Sequence, residues 1–404
     1  MATTTRNGHR AGAARLGAGQ RRRQLAETAA RRFYRYGYHA VALADVAAEV
    51  GVTAPAVYRH FRNKNALLAG AIDGALDVVD AAFAAAAESL DDLLFRLAGA
   101  ALDRRDLWVL LQREMRHLGG AERARVEARF GEFVSRLSAR LRQARPDADR
   151  GRLKLLVTAV LATMASASVS GVRLPRAEYL RVLAAAAAAA ARTELPPAGP
   201  RTGPPAAPHR PQVTLSRTEE LLETAIALFH ERGYAGVSLD DIGAAIGLSG
   251  PSIYHHFATK SELLVTAFTQ AAHRLAPQRG DTSLDELVRG YIRVGVQQRH
   301  LFGVYVTEAI NLPQEDGRRI GAELAANVEE WSAALRLRRP DLSVTESHAL
   351  VYAARGIVND VVRVGHLHAR PHVEAELETF LHAVLNADVT RDATATEQPS
   401  EIAG

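Results

Sequence analysis

The sequence has no cysteine among its 404 residues, and it has only 3 lysines against 47 arginines. The absence of cysteine excludes disulfide bonds and thiolate metal sites, and it agrees with a reducing compartment. Aromatic residues make up only 6% of the chain. Because arginine carries almost all of the positive charge, the positions of the three lysines are informative.

The sequence also lacks the period-two alternation of apolar residues that is typical of strands. Apolar residues recur instead at spacings of three and four, which predicts an all-α fold. There is no Gly-rich phosphate loop, no HExxH motif and no nucleophile elbow. We therefore expect no catalytic residue, no cofactor and no enzyme activity. His366, His368 and His372 cluster near a helix end, but Pro371 interrupts them, and we predict no metal site.

No apolar signal segment opens the sequence, and we find one apolar run of interest, the alanines of 184–191. Alanine is a poor membrane anchor, and Arg181 and Arg192 bracket this run. We therefore expect a cytoplasmic, nucleoid-associated protein without a membrane partner.

An internal repeat dominates the sequence. Residues 33–68 align without gaps with residues 229–264, at an offset of 196, and 15 of the 36 positions are identical. The similarity continues at an offset of 194, where Glu114 matches Glu308. Between the halves, residues 194–212 hold 7 of the chain's 16 prolines. Such a segment is extended, and at about 3.1 Å per residue it can span on the order of 60 Å.

These features predict a succession of domains. The expected order is a disordered basic tail (1–19), a first helix-turn-helix domain (20–64), a helical ligand and dimerisation domain (65–193), a Pro-rich linker (194–212), a second helix-turn-helix domain (213–260), a second helical domain (261–387) and a disordered tail (388–404). We place helices near 20–36, 43–50, 54–60, 64–88, 90–102, 104–117, 121–144, 147–170 and 176–192, and in the second half near 216–232, 239–246, 250–256, 260–275, 283–297, 299–310, 314–337, 343–366 and 372–387.

The repeated segment has the features of a helix-turn-helix. Gly37 suits a left-handed cap, and Gly51 ends a short helix before a tight turn. Thr53 is a good N-cap, with Pro55 in the first turn that follows it. Two short helices joined by such a turn place the second helix in the major groove of DNA.

The exposed face of that second helix carries small residues near its start and polar residues near its end. Small residues permit close approach to base edges, and tyrosine and histidine can reach phosphates. We expect Val57 and Phe61 to be buried. The predicted DNA-binding residues are Arg21, Arg22, Arg23, Thr53, Ala54, Ala56, Tyr58, Arg59, His60 and Lys64 in the first copy, and Ser238, Ser249, Gly250, Ser252, Tyr254, His255, His256 and Lys260 in the second.

Lys64 and Lys260 occupy equivalent positions at the start of a helix, after Asn63 and Thr259. A cation at that place opposes the helix dipole, so local stability argues against it. A positive side chain beside free N–H groups makes a phosphate site, and we predict that role for both lysines. The alternative is that each lysine only solvates the surface.

The two copies differ in charge. Residues 6–64 hold 12 Arg and Lys against 3 Asp and Glu, whereas residues 202–260 hold 4 against 6. The net charges are +9 and −2, so salt-dependent DNA affinity should come mostly from the first copy. We expect Arg21, Arg22 and Arg23, with the arginines of the tail, to follow the DNA backbone or to enter the minor groove. The alternative is that this basic leader is only solvated. Ala42 lacks the hydroxyl that Ser238 offers, which predicts one phosphate contact fewer in the first copy.

The stretches FYRYGYHAVALADVAAEVGVTAPAVYRHFRNKNALL and FHERGYAGVSLDDIGAAIGLSGPSIYHHFATKSELL resemble the DNA-binding domains of TetR/AcrR-family transcriptional regulators. The resemblance covers about 55 residues of each half. It implies a helix-turn-helix followed by a helical domain with a small-molecule pocket, and dimerisation through the last two helices. The tandem form resembles actinobacterial regulators of lipid and steroid uptake operons, which implies a hydrophobic effector of the fatty-acyl or steroid type.

The duplication predicts that one chain does the work of a dimer. Residues 147–192 and 343–387 would pack into an internal four-helix bundle, an intrachain pseudo-dimer. Because the recognition residues of the two copies differ, we expect an asymmetric double-stranded DNA operator. Pairing of separate halves from two chains is the alternative architecture.

Polar and aromatic residues inside apolar helices are candidates for the effector pocket, although core packing or a surface position is the commoner explanation for any one of them. The second half holds more of them, so the pocket is expected there first. The candidates are Trp108, Arg113, Glu114 and Met164 in the first half, and Tyr291, Tyr305, Glu308, Asn311, Trp331, Tyr352 and Asn359 in the second.

Two functions therefore stay open. The first is a ligand-responsive DNA-binding transcriptional regulator, a repressor. The second is a helical ligand-binding or scaffold protein in which one or both helix-turn-helices are inactive, and the acidic second copy gives this reading some support.

Overall fold

The computed structural model describes residues 17–84, 88–196, 216–248, 250–275 and 282–390. The predicted basic tail, most of the Pro-rich linker, the end of the C-terminal tail, and Ser249 lie outside the described residues. Within them the chain is all-α, as the spacing of apolar residues predicts.

The helices of the first half are α1 (Ala18–Ala40), α2 (Leu43–Val50), α3 (Ala54–Tyr58), α4 (Lys64–Ala84), α5 (Leu90–Asp103), α6 (Asp106–Val109), α7 (Gly120–Ala144), α8 (Arg150–Val169) and α9 (Arg176–Arg192). Those of the second half are α10 (Arg217–Arg232), α11 (Leu239–Ala245), α12 (Gly250–Ile253), α13 (Lys260–Leu275), α14 (Leu284–Gln297), α15 (Arg299–Glu308), α16 (Gln314–Arg338), α17 (Val344–Arg363) and α18 (Val373–Leu385).

Several predicted boundaries are wrong. The expected helix 104–117 is α6 followed by a π-helical turn at Leu110–Glu114 and a 3-10 turn at Met115–His117. The recognition helices α3 and α12 end earlier than predicted. The helix α17 ends at Arg363, since Gly365 and His366 adopt positive φ and turn the chain away.

Gly37 does not form the predicted left-handed cap. Its φ of 77° is positive, but its ψ of 161° is extended, and the chain kinks there before a last helical turn. Gly233 adopts the same geometry, with φ 74° and ψ 155°. That combination is essentially restricted to glycine, so both positions require it. Gly51 does adopt the left-handed conformation, with φ 72° and ψ 34°.

The offset of 194 relates the helical domains residue by residue. Helices α5 and α14 correspond at this offset, and so do α7 with α16 and α8 with α17. The equivalence lets the same position be compared in both halves of the chain.

The two halves pack against each other through their last helices. Helix α17 lies along α8 and α9, and α18 lies along α9. At the crossing, a Cβ on Gly356 would come within 3.1 Å of the carbonyl oxygen of Ala162, so the absence of a side chain lets the two backbones approach closely. Lys154 Nζ also donates to the carbonyl oxygen of Gly365, at 3.0 Å. These contacts join the two helical domains into one continuous apolar core.

Helix α8 is more apolar than the sequence analysis recognised. Among the described residues it is the one helix long and apolar enough to cross a membrane, and 78% of its most apolar stretch is buried inside the protein. Its neighbours α9 and α17 account for that burial, since they cover it on the inner side of the bundle.

The second DNA-binding segment shares a separate apolar core with α15 and α16 of its helical domain. Leu221, Phe229, Ile242 and Ile253 pack there with residues such as Val304, whereas the first copy belongs to the main core. The two copies are therefore supported differently, although their sequences align without gaps.

Candidate functional site

The first helix-turn-helix is formed by α2, a left-handed turn at Gly51 and α3. Val57 is 0% exposed and Phe61 is 2% exposed, which confirms their predicted burial. Thr53 occupies the N-cap position of α3, but its side chain makes no capping hydrogen bond. The buried pair fixes how α3 lies on its domain and leaves the opposite face outward.

That outward face presents the residues predicted to contact DNA. Tyr58 is 56% exposed, and Thr53 and Arg59 are exposed as well. Ala54, Ala56 and His60 are half-buried. Arg59 and His60 lie just beyond the last turn of α3 rather than within it.

The second copy repeats this arrangement. Ile253 and Phe257 are buried, and Tyr254 is 52% exposed. His255 and His256 are exposed, and Ser252 is half-buried. Gly250 opens α12.

The start of the first copy carries three consecutive arginines. Arg22 lies with its guanidinium 4.3 Å from the centre of the Phe61 ring and donates to the carbonyl oxygen of His60. Arg21 donates to Gln24 at 3.1 Å, and Arg23 is exposed. Arg22 thus couples the first helix to the end of the recognition helix.

The second copy keeps this coupling without the charge. Thr218 is the counterpart of Arg22, and its hydroxyl lies 3.3 Å from Nδ1 of His256, the counterpart of His60. Glu219 replaces Arg23, and its carboxylate accepts from the backbone N–H of Ser216 at 2.8 Å. Part of the charge difference predicted from the composition therefore lies at the start of the first helix of each copy.

Lys64 and Lys260 engage the protein itself. Lys260 Nζ donates to the carbonyl oxygens of Tyr234 and Val237, at 2.5 and 2.7 Å, and lies 4.3 Å from the centre of the Tyr234 ring. Lys64 Nζ donates to the carbonyl oxygen of His39 at 3.3 Å and lies 4.4 Å from the centre of the Tyr38 ring.

Each ammonium group therefore holds the loop after the first helix against the start of the fourth. Burial lowers the pKa of both lysines, and the nearby charges of Glu114 and Glu308 act in the opposite direction. This structural role of the two lysines was not predicted from the sequence. It depends on their cation–π contacts and on the carbonyl oxygens that accept from them. Their contact with phosphate stays a prediction.

The residues before these two lysines in the sequence form the N-caps of the helices that the lysines open. Asn63 Oδ1 accepts from the backbone N–H of Ala66 at 2.8 Å, and Thr259 Oγ1 accepts from Glu262 at 3.1 Å. Ser238 caps α11, since its hydroxyl accepts from the N–H of Asp241 at 3.1 Å and donates to the Asp241 carboxylate at 2.6 Å. The hydroxyl that Ala42 lacks is thus engaged in capping.

The pair Glu114 and Glu308 lies at the junction between each DNA-binding domain and its helical domain. Both carboxylates are 1% exposed. Glu114 Oε2 accepts from the backbone N–H of Tyr38 at 3.0 Å, directly after the kink at Gly37. Oε1 of Glu308 lies 3.9 Å from the Cβ position of Gly233, which is the equivalent kink.

Other predicted pocket residues belong to the same junctions. Arg113 donates to the carbonyl oxygens of Phe33 and Tyr34, both at 2.8 Å, and Asn311 donates to Glu308 at 2.8 Å. Arg113 therefore ties the first helix to the helical domain, whereas Asn311 contacts the carboxylate at the second junction.

The remaining second-half candidates come together in one place. The Tyr291 hydroxyl donates to Asn359 at 2.7 Å, and Trp331 stands edge-on to the Tyr291 ring, with 5.8 Å between ring centres. Tyr305 packs edge-on against Phe268 at 5.2 Å and is 37% exposed. Their convergence is what a pocket wall requires.

One member of this cluster, Arg355, was not predicted from the sequence. Arg355 lies one turn beyond Tyr352 on α17, and its guanidinium is 4.5 Å from the centre of the Tyr291 ring. The signal available in the sequence was an arginine in the middle of the apolar run of α17.

The first-half candidates do not form an equivalent cluster. Trp108 is buried edge-on against Phe130, at 5.8 Å between ring centres, and Met164 is buried in α8. Among the described residues, no group of three or more His, Cys, Asp or Glu side chains is placed to hold a metal ion.

The family model described as bacterial regulatory proteins, tetR family, matches the chain twice, at residues 25–71 and 221–267. Each match contains one of the two helix-turn-helices. The chain thus carries two segments that match the tetR-family model, in tandem. The model describes bacterial regulatory proteins, which agrees with the helix-turn-helices predicted from the sequence.

Two curated relatives are repressors. The chain is 36% identical over 77 residues to the HTH-type transcriptional repressor KstR2 of Mycobacterium tuberculosis, covering 19% of this chain and 28% of the relative. It is 34% identical over 74 residues to the repressor AcnR of Corynebacterium efficiens, covering 18% and 39%. The chain thus spans well under half the length of either of these two relatives.

Solved structures also match about two fifths of the chain. PfmR from Thermus thermophilus has 22% identity and a TM-score of 0.37, covering 43% of this chain and 97% of that one. AibR, solved with isovaleryl coenzyme A and operator DNA, has 20% identity and a TM-score of 0.34, covering 41% and 96%.

Proposed function

We propose that this protein is a ligand-responsive DNA-binding repressor in which one chain reads an asymmetric operator. The observation that carries the proposal is the presence of two unlike TetR-type helix-turn-helices on a chain whose last helices pack together. The bundle of α8, α9, α17 and α18 would act as an intrachain pseudo-dimer interface. Each recognition helix would then enter the major groove at its own half-site.

Three positions on the recognition helices support unlike half-sites. Ala54, Ala56 and Arg59 in the first copy stand against Gly250, Ser252 and His255 in the second. Arginine binds guanine through two acceptors, whereas histidine offers one ring N–H at a time, so the two helices would favour different bases. Tyr58 and Tyr254 are equivalent and exposed, and they would contact phosphates in both half-sites.

The response to an effector would act through the junctions at Glu114 and Glu308. Each carboxylate lies against the kink that ends the first helix of a DNA-binding domain, so a shift of the helical domain moves that domain. The effector would bind better to the conformation with one spacing of the two recognition helices than to the conformation with another. The DNA affinity would then change according to this difference in effector affinity. A hydrophobic effector of the fatty-acyl or steroid type is the class we propose.

A footprint of the purified protein on the DNA upstream of its own gene, at two salt concentrations, tests the proposal. We expect an asymmetric protected region with two unlike halves. A perfect palindrome would mean that two chains contribute the same copy, and the pseudo-dimer would be wrong. Absence of protection at low salt would favour an operator elsewhere or the scaffold alternative.

The alternative is a helical ligand-binding or scaffold protein in which one or both helix-turn-helices are inactive. The net charge of −2 over residues 202–260 favours it for the second copy. Tyr58→Ala and Tyr254→Ala separate the two readings, with Tyr36→Ala, an exposed tyrosine outside the recognition helices, as the matched control. Loss of DNA affinity with both variants would contradict the scaffold reading. Loss with Tyr58→Ala alone would leave the second copy inactive.

A further inference from the structure

Arg355 is a buried cation without an anionic partner. It lies in the middle of α17 and is 8% exposed. Among the described residues no carboxylate pairs with it, and its Nη1 is shielded from solvent without a hydrogen-bond partner. Arginine stays charged at any physiological pH. Burying such a charge without a partner is costly, so its presence calls for a reason other than packing.

This cation contacts the ring of Tyr291, and other aromatic side chains lie near that pair. Its guanidinium stacks on Tyr291 of α14, and its charge acts on Tyr305 of α15 to lower a pKa that burial raises. Tyr352 lies on the same helix one turn earlier, and Trp331 of α16 closes the cluster behind Tyr291. The arrangement joins one positive group to large apolar surfaces that also carry hydroxyls.

The first half has nothing comparable at the equivalent positions. The offset of 194 places a leucine opposite Arg355, and leucines also stand opposite three of the aromatic residues. All four are buried in the common core: Leu161, Leu97, Leu111 and Leu137. Thr158 stands opposite Tyr352. The same fold therefore forms without a charge or an aromatic ring at these positions, and the cluster around Arg355 is a departure confined to the second half.

We propose that the second helical domain alone binds the effector, and that the effector carries a carboxylate held by Arg355. The missing partner of a buried guanidinium is an anion, and a carboxylate matches its paired N–H groups. The aromatic walls suit an apolar body attached to that carboxylate. This inference rests on the proposed ligand response, whose effector it makes specific: a carboxylic acid with an apolar chain or ring system.

Direct binding to the free, full-length protein tests the inference. Calorimetric titration with octanoate, decanoate and cholate, each compared with its methyl ester, separates the carboxylate from the apolar body. Arg355→Leu installs the residue that the first half uses, and Arg355→Lys keeps the charge without the paired geometry. Arg293→Leu, at an exposed arginine of α14, is the matched control for loss of one positive charge.

We expect at least one of the acids to bind and its ester to bind more weakly. Arg355→Leu should lower the affinity for that acid about 10- to 100-fold, the range for losing a charge-assisted hydrogen bond. It should leave ester binding unchanged, and Arg293→Leu should behave as wild type. Thermal unfolding without ligand should show Arg355→Leu at least as stable as wild type, because an unpaired buried charge has been removed.

Three results would overturn the inference: no acid of the panel binds, acid and ester bind equally, or Arg355→Leu retains wild-type affinity for the acid. If Arg355→Leu fails to fold, Arg355→Lys decides, and an equal loss of acid and ester binding would show a packing role only. Because none of these measurements uses DNA, they can fail while the footprint succeeds. The reverse also holds, so the two proposals are separable.

Discussion

Arg116 of the first half forms an ion pair with Glu308 of the second, and the carboxylate of Glu308 is almost completely buried. The residue equivalent to Arg116 in the second half is Ile310, whose side chain lies against Gly37. A Cβ on Gly37 would come within 2.9 Å of the Ile310 side chain. Arg116 in turn lies 3.5 Å from the Cβ position of Gly233. Each DNA-binding domain is thus contacted by the opposite half of the chain, once through a charge and once through an apolar side chain.

Removal of Arg116 should destabilise the protein. Among the described residues, Arg116→Ala leaves the buried carboxylate of Glu308 with the amide of Asn311 as its one hydrogen-bond partner, and we expect a loss of about 3 kcal/mol in the free energy of unfolding. Denaturant unfolding measures it, with Arg123→Ala as the control. Arg123 pairs with Glu127 at the surface, so its loss should cost about 0.5 kcal/mol or less.

A double-mutant cycle tests whether Arg116 and Glu308 interact. Glu308→Gln removes the charge that Arg116 compensates, so Arg116→Ala combined with Glu308→Gln should cost less than the sum of the two single changes. Simple additivity would show that the two side chains do not interact in solution.

Enlargement of Gly356 should loosen the contact between the halves. Gly356→Leu would drive a side chain into the Ala162 carbonyl of α8, and we expect a loss of about 1–3 kcal/mol in stability. Thermal unfolding that splits into two transitions would mark separation of the halves.

Gly290→Ala is the matched control for that variant. Its Cβ position on α14 has no atom within 4 Å, and alanine favours a helix over glycine by about 0.5–1 kcal/mol. We therefore expect Gly290→Ala to be neutral or slightly stabilising. An equally neutral Gly356→Leu would contradict the close packing of α8 on α17.

Acid should destabilise the junction of the first half through His117. Its ring stacks on Tyr38 with 4.8 Å between centres, and its pKa is lowered from 6.5 to about 4. Burial is the largest cause, and the neighbouring positive groups add to it: Arg116, His39, Lys64 and Arg113. The carboxylate of Glu114 is 3.8 Å away and acts in the opposite sense.

Because the folded-state pKa lies below the unfolded one, the folded state favours the neutral ring. The contribution to stability is present in full above pH 6.5 and is lost as the pH falls towards about 4. His117→Asn, the residue that the second half has at this position, should flatten the pH dependence of thermal unfolding over this window. An unchanged dependence would show that other groups cause it.

The arginines at the start of α1 should dominate the salt dependence of DNA binding. Arg23→Ala removes an exposed cation whose counterpart is Glu219, and we expect the slope of log affinity against log salt to become shallower by about 1. Fluorescence anisotropy with the footprinted operator measures the slope. Arg142→Ala, which removes an exposed arginine far along the chain on α7, should leave it unchanged.

Local sequence was sufficient for the helix-turn-helix domains. The turn of each domain depends on one glycine with positive φ. The helices begin at capping positions that are their neighbours in sequence, and the core residues recur at spacings of three and four. The positions of Val57, Phe61 and Tyr58 followed from that periodicity alone. The predicted helix boundaries are wrong where tertiary contacts intervene, as in the π-helical turn that places Glu114 against the backbone of Tyr38.

The internal comparison of the two halves, read from the sequence, established which residues are equivalent. Only the tertiary structure decided what each of them contacts. Lys64 and Lys260 turned inward to carbonyl oxygens, Arg116 reached across to Glu308, and Arg355 came to lie among aromatic rings from three other helices. The physical reason is range: caps, turns and periodicity act within a few residues, whereas a buried charge is placed by partners on distant segments that the chain brings together only when it folds.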